Sequence, residues 1–124
     1  GEGPRGTRVH WVEQVEQLGT GHAVGQALPG IADGAIALIV YGDVPLVSAR
    51  TLEACVGAAR NGALALVTAE LTDPAELGRI VRDAAGRVRG IVEYRDASPA
   101  ERAIHEINSG IMALEAGALR QLLA

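Results

Sequence analysis

A lone carboxylate, Asp43, closes a run of seven apolar or aromatic residues, Ala35 to Tyr41, with only Gly42 between. An unbroken β-branched and aliphatic run suits a strand buried on both faces. In open parallel α/β sheets, ligands collect beyond the carboxyl ends of strands. A carboxylate there can hold a divalent cation against a phosphate, and it can equally cap a turn or the next helix. Three other places carry residue types that serve ligands. Gly19-Thr20-Gly21 precedes a helical stretch. Glycines at a helix entrance let a ligand approach the backbone, and free N–H groups there attract anions or carbonyl oxygens; an ordinary helix-entry loop has the same composition. Gly78 and Glu93 belong to two strand-like segments around a turn, and Glu106, Asn108 and Ser109 interrupt what should be core. Polar residues that break an apolar pattern often mark sites. Converging on one sheet, these four places point to a nucleotide or sugar-phosphate site.

Other reactive residue types are set aside. Cys55 lies on an apolar helix face, which makes it core rather than nucleophile. His22 and His105 have no carboxylate partner near the candidate site and read as structural. The opening Gly1-Glu2-Gly3-Pro4-Arg5-Gly6 formally matches the dinucleotide fingerprint G-x-G-x-x-G. No strand precedes it and Pro4 disfavours a helix start, so it reads as a loop, at a cut end of a longer chain.

The elements that must position these groups follow from periodicity and caps. Thr7 to Val15 alternates as a strand, with Val9, Trp11 and Val15 to one side and His10, Val12 and Gln14 to the other. Thr20 is the expected N-cap of a helix carrying Val24, Ala27 and Leu28, ended by Pro29-Gly30. Ser48 caps a helix whose Leu52, Cys55, Val56 and Ala59 fall at i, i+3, i+4 and i+7, closed by Asn61-Gly62. Ala63 to Leu71 reads as a strand, broken by Thr72-Asp73-Pro74. Gly78–Arg82 and Arg87–Tyr94 form a hairpin about Ala85-Gly86. Ser98-Pro99-Ala100-Glu101 is a capping box with proline at the first helical position, opening a helix through about Ala103. Glu106 to Leu114 reads as a strand, and Glu115 to Ala124 as a helix with Leu119, Leu122 and Leu123 on one face. Strands alternating with helices predict an α/β sandwich with a mostly parallel sheet and an inserted hairpin.

Composition bounds the partners. The 124 residues suffice for one modest domain with a core. Eleven basic residues, all arginine, face fifteen acidic ones, a net charge of −4. That gives no electrostatic case for nucleic acid or a membrane, and no lysine is present to grip phosphate or form a Schiff base. One cysteine excludes an internal disulfide, which fits a reducing, cytoplasmic compartment. No apolar run approaches the roughly 20 residues of a membrane span.

Read in order, Gln14-x-x-Gln17-Leu18-Gly19-Thr20-Gly21-His22-Ala23, Tyr41-Gly42-Asp43-Val44-Pro45-Leu46, Gly78-Arg79-Ile80, Ile91-Val92-Glu93, Glu101-Arg102 and Glu106-Ile107-Asn108-Ser109-Gly110-Ile111 resemble bacterial N-acetylglucosamine-1-phosphate uridyltransferase. In that family this is the N-terminal half of a bifunctional enzyme, whose C-terminal half is a left-handed β-helix acetyltransferase. The resemblance runs from about Val12 to Leu123. It implies a Rossmann-like nucleotidyltransferase sandwich, residues 1–124 forming part of the uridyltransferase domain and incomplete at both ends. Gln14, Gly19 and Thr20 would surround uracil, with Gln17 supporting their loop. Tyr41 and Gly42 would line the site, and Asp43 would ligate Mg²⁺. Gly78, Glu93 and Asn108 would hold the N-acetylglucosamine moiety. The donor and acceptor inventory suits these roles: Gln amides match the imide edge of uracil, Glu93 can accept from two hydroxyls, and Asn108 can donate and accept.

Two mild departures are Leu77, where tyrosine is common, and Ser109, where threonine is common. The resemblance further implies that a Gly-rich loop with its Arg and Lys precedes Gly1, and that an Asn ligand to Mg²⁺ and the acetyltransferase half follow Ala124. On that reading the piece by itself should show little pyrophosphorylase activity, no acetyltransfer, and a tendency to associate. A homotrimer is implied only for the intact enzyme, whose substrates would be UTP and N-acetylglucosamine 1-phosphate and whose product would serve cell-wall and lipopolysaccharide precursor synthesis. Alternatives from the same residues are a sugar-1-phosphate nucleotidyltransferase of other base or sugar specificity, a non-catalytic sugar-nucleotide-binding module, or an NAD-dependent Rossmann enzyme.

Overall fold

The computed structural model describes residues 8–42 and 46–124. The elements run in the order α1 (Thr20–Ala27), β1 (Ile36–Ile39), α2 (Ala49–Ala59), β2 (Ala65–Glu70), β3 (Arg79–Arg82), β4 (Val88–Val92), α3 (Pro99–Arg102), β5 (Glu106–Glu115) and α4 (Ala116–Leu123), with a 3-10 turn at Leu28–Gly30.

The α/β class is as expected, but the sheet direction is not. Every pairing among the described residues is antiparallel: β1 with β5, β2 with β5, β3 with β4 and β3 with β5. The cause lies in β5. Met112 pairs with Ile39 of β1 and with Leu66 of β2, so β5 runs between them in the opposite sense. β1 and β2 therefore point the same way and are joined through α2, as a β–α–β pattern suggests, but they are not neighbours. A strand some forty residues downstream fills the space between them.

Alternation along β1 sends its side chains to both faces. Ala37 and Ile39 pack with Leu28, Leu114, Ala116 and Leu119 beside α1 and α4. Ile36 and Leu38 pack with Cys55, Ala59, Ala65 and Ala113 beneath α2. The central run is thus covered on both faces, although only Ile36–Ile39 pairs as strand and Val40–Gly42 lead away from the sheet.

Local signals account for most helix ends. Ser48 Oγ accepts from Thr51 N–H at 3.1 Å and caps α2. Ser98 accepts from Glu101 N–H at 3.3 Å while Glu101 accepts from Ser98 N–H at 2.7 Å, completing the capping box of α3. At α1 the cap is Gly19, not Thr20. Gly19 has φ +99° and its carbonyl accepts from Ala23 N–H at 3.1 Å, which makes Thr20 the first helical residue. Of the stripe expected of α4, Leu119 is buried, whereas Leu122 is 70% and Leu123 41% exposed. The expected strand over Thr7 to Val15 is absent across its described residues 8–15. Only an isolated bridge at Arg8 occurs there, and Trp11 is 85% exposed. Alternation without a partner strand leaves the backbone groups unpaired, and the pattern alone cannot supply one.

Candidate functional site

β5 has one edge along β2 and an opposite edge shared by two strands. β1 pairs with Met112–Glu115, and β3 pairs at Ile107. Between them no strand among the described residues pairs with Ser109–Ile111 on this edge, and Gly110 there adopts φ +82°. A Cβ on Gly110 would collide with the Tyr41 ring, lying 2.9 Å from its Cδ2. Glycine is required both for the turn and for the ring that rests on it.

That opening gathers the candidate residues. Asn108 N–H donates to the Gly78 carbonyl at 2.9 Å, and Asn108 Oδ1 accepts from Gly110 N–H at 3.0 Å. Gly78 is buried, and a Cβ there would lie 3.2 Å from Glu93 Oε1 and 3.2 Å from Ile91 Cγ2. Gly78, Glu93, Asn108, Gly110 and Tyr41 are therefore linked by one run of contacts. On its far side Tyr41 and Gly42 join a cavity of about 870 Å³ whose wall includes Gln14, Gln17, Gly19 and Thr20. Glu93 lines a second recess of about 800 Å³ with Glu76, Tyr94, Arg95, Asp96 and Arg102. Asp43 lies outside the described residues; it directly follows Gly42 at the cavity wall.

The Gln14 side chain does not hang free. Its Nε2 donates to the Gly19 carbonyl at 3.2 Å and meets His22 Nδ1 at 3.0 Å. His22 Nε2 in turn lies 3.3 Å from the Gln26 amide. His22 is a hydrogen-bonding member of the cavity wall's support, which residue type and spacing did not reveal. His105 is structural, its Nδ1 2.8 Å from the Leu71 carbonyl.

The polar cluster on β5 divides. Only Asn108 faces the opening. Ser109 Oγ donates to the Val67 carbonyl at 2.5 Å and accepts from Ile111 N–H at 3.2 Å, stitching the bulge between β2 and β5. Glu106 accepts from Arg82 at 2.7 and 2.6 Å and from Thr68 Oγ1 at 2.8 Å. The Arg82 hydrogen bonds hold the Glu106 carboxyl down to about 2. Glu106 is therefore a structural carboxylate tying the hairpin to the sheet.

Arg79 is 2% exposed and holds the loop before Gly78. Its guanidinium donates to the carbonyls of Ala75 at 2.9 Å, Pro74 at 3.4 Å, Arg102 at 3.3 Å, and Leu77, and packs 5.6 Å from the Tyr94 ring centroid. Four carbonyls on one cation fix the backbone that presents Gly78. Burial pushes the Cys55 thiol up, and its Sγ faces the Ala65 carbonyl at 3.8 Å, in line with a core role.

Among the described residues no group of three or more His, Cys, Asp or Glu could hold a metal ion.

The α/β layer thus carries a strand-edge opening, a Gly–Glu pair at the base of the hairpin and a glycine-led helix beside a cavity, and the relatives that the chain matches imply a nucleotidyltransferase fold. Sequence comparison names the relatives. The chain is 54% identical over 113 residues to the bifunctional protein GlmU of Azoarcus sp. (strain BH72), covering 91% of the chain and 25% of that protein. It is 55% identical over 116 residues to GlmU of Cupriavidus pinatubonensis, covering 94% and 26%. GlmU of Paracidovorax citrulli is 53% identical over 119 residues, covering 96% and 25%. No family profile matches the chain. Over the segment they share, the chain is similar to these GlmU proteins, and it spans about a quarter of their length.

Proposed function

We propose that this segment supplies the uracil- and sugar-binding walls of a uridyltransferase that makes UDP-N-acetylglucosamine and pyrophosphate from UTP and N-acetylglucosamine 1-phosphate. The observation that carries the reading is the run of contacts from Gly78 and Glu93 through Asn108 and Gly110 to Tyr41, which lines the cavity. It offers a hydroxyl-binding end and a base-binding end on one opening.

In this reading Gln14, Gly19 and Thr20 receive the uracil, Tyr41 and Gly42 line the passage, and Gly78, Glu93 and Asn108 seat the sugar. The bare Cα of Gly78 makes room for the Glu93 carboxylate, which accepts from the sugar's hydroxyls. The sugar 1-phosphate oxygen attacks the α-phosphorus of UTP. The bond from that phosphorus to the bridging oxygen breaks, and pyrophosphate leaves with the electron pair. A sugar phosphate is already anionic, so no general base is needed; positioning and charge neutralisation supply the acceleration. Mg²⁺ held through Asp43 would supply part of that neutralisation.

The test is Asp43→Ala in the full-length protein. Uridyl transfer should be abolished with the melting temperature little changed. Near-normal turnover would reduce Asp43 to a turn residue and remove the metal assignment.

A further inference from the structure

We infer that His22 is a positioning residue that fixes which atom of the Gln14 amide faces the cavity, and so selects a nucleobase carrying a ring N–H. The inference deepens the proposed base site and rests on it.

The orientation of the Gln14 amide is set at Gly19. Its carbonyl can only accept, so the Gln14 atom 3.2 Å away must be the amide nitrogen. The same nitrogen lies 3.0 Å from His22 Nδ1. An amide nitrogen has no lone pair to offer, so His22 Nδ1 must accept and carries no proton. The imidazole proton then sits on Nε2; the Gln26 Nε2 that lies 3.3 Å away cannot accept it, so the Gln26 amide must be turned with its oxygen toward His22. Gln26 is exposed and turns freely. Both protons of the Gln14 amide are spent on Gly19 and His22. What Gln14 offers the cavity is Oε1, an acceptor.

An acceptor at that place matches a base whose ring nitrogen bears hydrogen, as N3 does in uracil. In cytosine that nitrogen carries a lone pair, so the two would repel. Sites that hydrogen-bond a group reject the analogue lacking it, because the site's own polar atom is left unpaired. Without His22 the Gln14 amide loses one of its two anchors and can rotate to offer its NH₂, which cytosine accepts. The histidine thus acts through Gln14 on base choice, with no contact to the sugar.

Two variants separate this role from mere packing. In His22→Leu the acceptor is gone; in His22→Asn the Oδ1 atom stands where Nδ1 stood. The full-length protein would be assayed with UTP, CTP and N-acetylglucosamine 1-phosphate. His22→Leu should raise the KM for UTP and shrink the UTP-over-CTP preference by about tenfold, the worth of one neutral hydrogen bond. The KM for the sugar phosphate should stay put, and His22→Asn should restore most of the preference. An unchanged preference in His22→Leu, equal losses for both substrates, or no rescue by asparagine would overturn the inference. If His22→Leu does not fold, the tautomer of His22 in the unaltered protein, read by ¹⁵N NMR, decides: a proton on Nε2 supports the relay and a proton on Nδ1 overturns it. Failure of the unaltered protein to use UTP would instead defeat the proposed function, and the tautomer result would still stand apart from it.

Discussion

Two glutamates flank β3, and they live differently. Arg79 pairs with Val92 on one side and Ile107 on the other, and the residues adjoining those partners are Glu93 and Glu106. Glu106 is met by protein donors on both oxygens, two from Arg82 and one from Thr68. Glu93 instead faces a glycine, with no ion-pair or side-chain hydrogen-bond partner among the described residues. A carboxylate that finishes its hydrogen bonding within the protein serves the fold. One set against a bare Cα, beside an opening, has acceptors that the proposed sugar site would use. The same contrast runs across the sheet: the hairpin end is knitted by Arg82–Glu106 and Arg87–Asp83, whereas the cavity end is shaped by glycines at 19, 42, 78 and 110.

The contrast can be broken most severely at Gly110. Gly110→Ala forces a Cβ into the Tyr41 ring at a residue with φ +82°. Strain and overpacking together should cost about 2–4 kcal/mol, read as a lowered denaturation midpoint. A variant as stable as the parent would show that the bulge and ring are not coupled as described.

Next comes acid. Glu106 sits at about 2 in the folded protein against an ordinary 4.5. A depressed carboxylate contributes stability above its ordinary value and loses it as pH falls from there toward the folded value. With the Arg82 side chain 41% exposed, screening limits the loss to about 1–2 kcal/mol. Denaturant titrations at pH 6 and pH 3 should show that loss, and Glu106→Gln should abolish most of it. The smallest effect is at a cap: Ser48→Ala removes the acceptor for Thr51 N–H and should cost about 1 kcal/mol, with no change in either KM.

What was legible in the sequence was local. Ser48 and the Ser98–Glu101 box specify helix starts through bonds spanning three residues, and Gly86, with φ +79°, allows the hairpin to turn. The sheet's direction was not legible, because the insertion of β5 between β1 and β2 depends on residues far apart in the chain. The convergence of Gly78, Glu93 and Asn108 was expected from the residue types and the sheet and was given its sugar-binding role by the resemblance, and the structure brings the three together. Polarity within β5 could not separate Asn108 from Glu106 and Ser109, because their partners Arg82, Thr68 and Val67 are supplied by neighbouring strands. Nor could it show that His22 holds Gln14, a contact created by the turn at Gly19.

The central claim is that Glu93 serves a ligand while Glu106 serves the fold, and the paired variants Glu93→Ala and Glu106→Ala in the full-length protein test it directly. Both melting temperature and the two KM values would be measured. Glu93→Ala should leave stability within about 0.5 kcal/mol and raise the KM for N-acetylglucosamine 1-phosphate about 10- to 150-fold, the worth of one charge-assisted hydrogen bond, with little change for UTP. Glu106→Ala should do the reverse, lowering stability and leaving both KM values near the parent's. If instead Glu93→Ala unfolds the protein as readily as Glu106→Ala, or raises both KM values alike, the division between the two glutamates is wrong.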